Sequence, residues 1–157
     1  MSAFLSRECN IAIQNTLPFK ESRDYEAASF SINAHKILYR QSRITPAKTG
    51  QFVAIWKRNN AGITQPFDIT DEFDFMMIAA KAESLSGIFI FPKEVLSHHG
   101  VVSINGKGGK RGIRVYPPWN LASNKQATQT QEWQTKYFIN LSEGNKSTAD
   151  SIVHIFS

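Results

Sequence analysis

Residues 73–92 read FDFMMIAAKAESLSGIFIFP and set the centre of the predicted sheet. The stretch contains two apolar runs, 73–80 and 87–92, separated by a polar segment at 82–86. Apart from Asp74, neither run alternates between apolar and polar residues, which is typical of strands that are covered on both faces. The sequence therefore predicts two neighbouring buried strands that are joined by a turn at 82–86.

Patterns on either side predict the remaining elements. Alternating residues or short apolar runs predict further strands, the last of them at an edge of the sheet, at 27–32, 36–40, 51–58, 113–116 and 152–156. Helical spacing, proline and glycine positions or a capping residue predict helices at 1–17, 92–100 and 123–141. Together these elements predict an α/β or α+β fold, with one domain over residues 1–157 and a central mixed sheet of about six strands flanked by helices.

A basic, glycine-rich segment leads into one of the predicted strands. Residues 105–119 read NGKGGKRGIRVYPPW and contain four glycines and four cations, with no acid. Glycine lets a backbone come close to a partner, and strand alternation places Arg114 on the face opposite to Ile113 and Val115. This combination predicts a basic loop that suits a phosphate-bearing partner. The alternative interpretation is a solvated turn.

The charges are distributed unevenly along the chain. The formal net charge is +5, from 18 Lys and Arg against 13 Asp and Glu. Two windows, 27–67 and 95–131, hold eleven of these cations and none of the acids. If both windows fold onto one face, they form a positive surface of the kind that binds polyanions.

The leading hypothesis from these patterns is a nucleic-acid-binding protein without efficient catalysis, whose partner is DNA or RNA. Six cations are predicted to bind phosphates, and one tryptophan is predicted to stack on a base. The predicted contact residues are Lys57, Arg58, Lys107, Lys110, Arg111, Arg114 and Trp119. The pair at 57–58 and the loop at 107–111 are expected to meet on one surface.

Several other classes of site are excluded or disfavoured. The one cysteine, Cys9, excludes an intrachain disulfide, and the lack of a Cys-x-x-Cys motif argues against a zinc site built on thiolates. The four histidines do not form a ligand pattern. The N-terminal residues do not resemble a signal peptide, and no apolar run is long enough to span a bilayer. We therefore expect a cytoplasmic protein with no cofactor and no membrane contact.

Six motifs occur in order along the chain. They read TPAKTGQF (45–52), WKR (56–58), FDF (73–75), GIFIFPK (87–93), GKRGIRVYPPW (109–119) and QEWQ (131–134). This set resembles the bacterial MepB family over residues 25–138. The resemblance implies a bacterial cytosolic domain and a fold similar to that of restriction-endonuclease-like nucleases.

That fold comparison raises an alternative, a nuclease or phosphodiesterase that depends on Mg²⁺ or Mn²⁺. Such enzymes use a Glu near the first helix, an Asp on a central strand and a Glu-x-Lys on the next strand. Glu26 and Asp74 match the first two places, and Asp71 is a further candidate ligand. The chain contains no Asp-x-Lys or Glu-x-Lys, so we interpret it as a nuclease-like scaffold with an incomplete site.

The acidic residues and the basic surface leave other interpretations open. Asp71 and Glu72 are expected in a solvated loop. Asp74 begins a buried strand, so we expect it to be partly buried and to need a partner, either a metal ion or one of Arg114 and Lys57. A third possible function is a module that binds a protein or a small anion through the same basic face.

Overall fold

The computed structural model describes residues 12–142 and 146–157 of the chain. In chain order the strands are β1 (Gln14–Pro18), β2 (Ala28–Ile32), β3 (His35–Gln41), β4 (Arg43–Ile44), β5 (Gln51–Ala54), β6 (Trp56–Arg58), β7 (Thr64–Pro66), β8 (Phe75–Ala82), β9 (Leu85–Pro92), β10 (Gly112–Val115) and β11 (Phe138–Asn140). The helices are α1 (Lys93–His98), α2 (Lys125–Gln134) and α3 (Lys146–Phe156), with short 3-10 turns at Arg23–Tyr25 and Thr135–Tyr137. Within these described ranges, no helix combines the length and apolar character needed to cross a membrane.

The central sheet contains six strands in the order β1-β2-β3-β8-β9-β11. β3 and β8 run parallel, and the other neighbouring strands run antiparallel. The two apolar runs form β8 and β9, which pair continuously from Phe75 with Pro92 to Ala82 with Leu85. The predicted α+β fold with a mixed sheet of six strands is therefore confirmed.

Both faces of the central sheet are covered. Met76 on β8 belongs to a core shared with Val53 of β5, whereas its neighbour Met77 belongs to a second core shared with Ile152 of α3. Successive residues of a strand point to opposite faces of the sheet. β8 therefore needs apolar residues at successive positions from 76 to 80, which explains why the sequence does not alternate there.

A smaller layer covers one face of the central sheet. It consists of a three-stranded antiparallel sheet, β10-β5-β4, and the hairpin β6-β7. The single strand predicted at 51–58 is divided at Ile55, because β5 pairs with β10 while β6 pairs with β7. Ile55 is buried, and its N–H donates to the carbonyl of Arg111 at 2.9 Å. The chain changes strand partners at this residue.

The predictions at the two ends of the chain are wrong where the structure tests them. Residues 152–156 belong to α3 rather than to an edge strand, and Ala149, Ile152 and Phe156 are buried at the spacing of one helical face. Residues 14–18 form β1 beside β2 rather than a helix. The first eleven residues of that predicted helix lie outside the described part of the chain.

The helix predicted at 123–141 is shorter than expected. Asn124 caps α2 by accepting a hydrogen bond from the Ala127 N–H, but the helix ends at Gln134 rather than at residue 141. The chain then joins the central sheet as β11, where Phe138 and Ile139 pack against the two different cores. Two consecutive residues can face opposite sides of a sheet only in a strand, where side chains alternate. Residues 138–140 are therefore a strand rather than a continuation of α2.

Arg40 connects the two layers from inside the fold. Its side chain is 1% exposed and donates from Nε to the Ala54 carbonyl at 3.2 Å and from Nη1 to the Tyr39 carbonyl at 2.8 Å. The guanidinium also lies over the rings of Phe19 and Phe67, 5.1 and 5.9 Å from their centroids. Burial lowers the pKa of Arg40 to about 10, so the group stays charged at neutral pH.

Candidate nucleic-acid interface

A carboxylate of the acidic segment fixes the glycine-rich loop. Oδ1 of Asp68 accepts hydrogen bonds from Ser103 Oγ at 2.6 Å and from the Gly106 N–H at 2.9 Å, and Oδ2 accepts two from Thr70. These hydrogen bonds, that of Ser103 above all, hold the pKa of Asp68 well below its usual range. This role could not be recognised in the sequence, because Ser103 and Gly106 lie 35 and 38 residues away from Asp68.

The two predicted basic segments meet at β7. Arg111, at the end of the loop, donates from Nη2 and Nε to the Thr64 carbonyl at 3.1 and 3.4 Å. Thr64 pairs directly with Arg58 across the β6-β7 hairpin. The expected convergence of residues 57–58 and 107–111 on one surface is therefore present, with β7 between the two segments.

Lys57 has a different role from the one predicted. Its Nζ lies 2.5 Å from Oδ1 of Asp71, in an ion pair whose side chains are 28% and 24% exposed. Oδ2 of Asp71 accepts a hydrogen bond from the Asp68 N–H at 2.7 Å. Asp71 is therefore a half-buried structural residue rather than part of a solvated loop, and Lys57 is not available as an unpaired cation. Glu72 is solvated as expected and lies 3.5 Å from Lys36.

Asp74 does not have the environment that its position before an apolar run predicted. It is exposed, and Oδ2 accepts a hydrogen bond from the Lys36 N–H at 2.7 Å. Neither Arg114 nor Lys57 is its hydrogen-bond partner. β8 begins one residue later, at Phe75, so the carboxylate lies at the strand end and remains in contact with water.

The candidate catalytic residues are not brought together. The Asp74 N–H bonds to the carbonyl of Lys36, whereas Glu26 lies before Ala28, which pairs with Tyr39. At the rise of a strand, these two levels of β3 are about 10 Å apart. Within the described residues, no group of three or more His, Cys, Asp or Glu has a geometry that suits a metal.

Arg114 occupies the predicted face of β10. Ile113 and Val115 are buried, while the half-buried Arg114 points away from them. Its guanidinium donates from Nη1 to the Thr49 carbonyl at 3.2 Å and from Nη2 to Thr45 Oγ1 at 2.6 Å. Because both acceptors are neutral, they orient the cation without neutralising it.

Trp119 is not an exposed stacking platform. The ring is partly buried, packs against the first core and lies edge-on to Phe138 with 5.6 Å between centroids. The strand ends before Pro117 and Pro118 as expected, and the indole that follows them packs against the core.

A cleft of about 740 Å³ lies between α2 and the face of β10 and β5, and we call it the basic cleft. Its cationic lining residues are Lys48, Lys110 and Arg114, and its larger aromatic residues are Phe52, Tyr116 and Trp133. No Asp or Glu is among the described residues that line it. The site thus combines positive charge with flat rings. Lys48 was absent from the predicted contacts, although it falls in one of the two acid-free windows.

Gln134 builds one wall of the basic cleft. This residue of α2 is 1% exposed, and its amide accepts from the Tyr116 N–H at 2.8 Å and donates to the Arg114 carbonyl at 3.0 Å. The amide therefore pairs with β10 much as a neighbouring strand does. It holds α2 beside the cations of the cleft, a function that the sequence did not reveal.

A histidine lies flat on one of the cleft's aromatic rings. The centroids of His99 and Trp133 are 4.0 Å apart and their planes differ by 6°. Burial lowers the pKa of His99, and the nearby charges of His98 and Lys136 lower it further. His99 is therefore neutral at pH 7 in the free protein.

Fold and site together define an α+β protein with a mixed six-stranded sheet and a cation-lined cleft beside it. The MepB-like family model matches residues 19–140, and the chain belongs to this family. A solved structure described as the crystal structure of MepB is 38% identical, with a TM-score of 0.79, covering 82% of this chain and 86% of the other. A solved structure described as a bacterial homing endonuclease is 14% identical, with a TM-score of 0.45, covering 79% of this chain and 76% of the other. No curated protein matches the chain.

Proposed function

We propose that this protein binds nucleic acid, DNA or RNA, through its phosphates and does not cut it. The observation that supports this function is the clustering of cations around β7 and β10. We call these residues the basic surface, and they comprise Lys48, Arg58, Lys107, Lys110, Arg111 and Arg114. Within residues 12–142 and 146–157, none of these side chains forms an ion pair with a carboxylate.

Such clustering is unfavourable for folding alone. Two like charges at contact distance repel by roughly 1 kcal/mol even in water. The two basic segments are nevertheless held together by hydrogen bonds, since Arg111 bonds to the residue that pairs with Arg58. A polyanion relieves this repulsion and releases counterions when it binds. A bacterial cytoplasm supplies both DNA and RNA as partners for a single domain of this kind.

The separation of the acidic residues supports binding without catalysis. Glu26 and Asp74 lie at different levels of β3, and Lys57 neutralises Asp71. Binding through phosphates needs no metal ion or other cofactor. Cleavage of a nucleic acid in Mg²⁺ or Mn²⁺ that is lost in Asp74→Asn would overturn this part of the proposal.

The test is a titration of fluorescently labelled DNA and RNA oligonucleotides at several salt concentrations. We expect binding at low salt that weakens as salt rises. The double variant Lys110→Glu, Arg111→Glu should bind more weakly, and its salt slope should be shallower by about 2 because two phosphate contacts are lost.

The matched control is Lys20→Glu, Lys81→Glu, which changes the net charge equally at exposed lysines that are not among the cations of the basic surface. It should keep most of the affinity of the parent protein. The proposal fails if no oligonucleotide binds at low salt, or if both double variants lose affinity equally.

A further inference from the structure

We infer that the basic cleft accepts unpaired nucleotides, so that the protein prefers a single strand of DNA or RNA over a duplex. Lys48, Lys110 and Arg114 bind successive phosphates, and the stacked rings of His99 and Trp133 form the platform for a base. This inference rests on the proposed nucleic-acid binding and adds the form of the nucleic acid.

The size of the cleft is the first argument. Its volume of about 740 Å³ lies in the range of pockets that enclose small ligands. A cube of that volume has an edge of about 9 Å. A duplex is wider than this, since its major groove by itself is roughly 12 Å across. A double helix can touch the rim of the cleft, but only a strand with splayed bases can enter it.

The distribution of charge inside the cleft is the second argument. Its cations come from three separate segments: Lys48 precedes β5, Lys110 belongs to the glycine-rich loop and Arg114 lies on β10. Arg114 is held by the neutral acceptors of Thr45 and Thr49 and keeps its charge uncompensated. A strand that runs through the cleft therefore meets positive charge along its path, as in grooves that follow a single-stranded backbone.

The aromatic rings are the third argument. Bases in a duplex are stacked on one another and hide their faces, whereas unpaired bases stack on aromatic side chains. Trp133 has the His99 imidazole parallel to it, with 4.0 Å between centroids, and its ring also lies 5.4 Å from that of Phe91. Both rings of this stack line the cleft, together with Phe52 and Tyr116. Rings and cations in one cleft fit a nucleotide better than they fit a phosphate alone.

The test compares a labelled oligothymidylate of about ten nucleotides, within the usual site size, with a blunt duplex that carries the same number of phosphates. We expect tighter binding of the single strand. The variant Lys48→Gln, Lys110→Gln should lower the salt slope for the single strand by about 1.4, from two lost contacts at about 0.7 each. Both lysines are exposed, so this variant keeps the fold.

A second measurement tests the rings. The single strand should quench part of the tryptophan fluorescence, and Trp133→Leu should remove this quenching and weaken single-strand binding about fivefold or more, with little effect on the duplex. Because Trp133 packs against the core, thermal unfolding of the variant is measured alongside. Trp56 lies beside Arg58 of the basic surface, so quenching that persists in Trp56→Phe tests the inference even if Trp133→Leu does not fold.

The outcomes separate this inference from the proposed function. Equal or tighter binding of the duplex, or single-strand binding that the lysine variant leaves unchanged, overturns the inference while nucleic-acid binding stands. Thymidine monophosphate that binds as tightly as the strand also overturns it and identifies a site for small anions. Binding of neither nucleic acid at low salt overturns the proposed function itself.

Discussion

Arg40 is a buried cation whose hydrogen bonds, among the described residues, go to neutral carbonyls. Replacing a buried charge by an apolar side chain of similar length is often neutral or stabilising, since the cost of desolvation disappears. We therefore expect Arg40→Met to change the free energy of unfolding by less than about 2 kcal/mol. Arg40→Ala should cost about 3–5 kcal/mol, because it leaves a cavity between the rings of Phe19 and Phe67.

Chemical denaturation of the three proteins measures this difference. A Met variant as unstable as the Ala variant would contradict the packing explanation. The hydrogen bonds to Ala54 and Tyr39 would then be the main contribution of Arg40.

Asp68 makes the stability of the protein depend on pH. Its hydrogen bonds lower the pKa in the folded state below the ordinary value of 3.8, so the folded state binds fewer protons than the unfolded state in acid. The resulting stabilisation is present above that value and is lost as the pH falls below it. Asp68→Asn should therefore be less stable than the parent protein at pH 7 and should lose less stability between pH 7 and about 3.

Denaturation curves at both pH values provide the measurement. The exposed Asp24 offers a control, because Asp24→Asn makes the same change without touching the glycine-rich loop. Equal pH dependence in the parent protein and in Asp68→Asn would show that the loop is fixed by other contacts.

Individual residues of the site were predicted unevenly, for a physical reason. Strand alternation placed Arg114 on the correct face of β10. Pairing across the fold was not visible in the sequence, so Lys57 was assigned to phosphate contact although it bonds to Asp71. The direction of Trp119 likewise depends on Phe138, which lies on a different element.

At the scale of elements, one amide joins α2 to β10. Gln134→Ala would leave the Tyr116 N–H and the Arg114 carbonyl without this partner, and each unsatisfied buried group costs about 1–3 kcal/mol. We expect a loss of stability of at least that size, with faster hydrogen exchange at the Tyr116 amide. The control Gln129→Ala lies on the exposed face of the same helix and should change neither quantity. Slow exchange at Tyr116 in Gln134→Ala would contradict the role assigned to the amide.

The two buried strands at the centre of the sheet were predicted correctly, and elements fixed by their neighbours were not. The apolar runs of β8 and β9 reflect burial on two faces, a property that the residues themselves carry. The division at Ile55 depends on which strands lie beside it. The short apolar run at 152–156 fits either a strand or a helix by itself, and packing against the second core selects the helix.

At the scale of the whole molecule, binding of a polyanion should be coupled to proton uptake. The groups around His99 are His98 and Lys136, and Lys110 and Arg114 line the same cleft. These positive neighbours disfavour protonation of His99 in the free protein. A bound phosphate offsets their charge and therefore favours the protonated imidazole. We expect the affinity for an oligonucleotide to rise as the pH falls below about 6.5, the ordinary pKa of histidine, towards the lowered pKa of His99 in the free protein.

Titrations at several pH values and fixed salt concentration measure this coupling. His99→Gln should reduce the pH dependence, whereas His154→Gln, on α3 away from the cleft, should not. An identical pH dependence in both variants would assign the proton uptake to other groups.

The connection between β3 and β8 has a consequence for how this family can diversify. These two strands are neighbours in the central sheet, yet β4 to β7 and the acidic segment, which include Lys48 and Arg58 of the basic surface, all lie between them in the chain. Closing a longer connection costs little, since each doubling of its length adds only about 0.6 kcal/mol. Insertions at the exposed tip of the β6-β7 hairpin, residues 59–62, should therefore be tolerated, so that relatives can change what they recognise while they keep the same inherited framework.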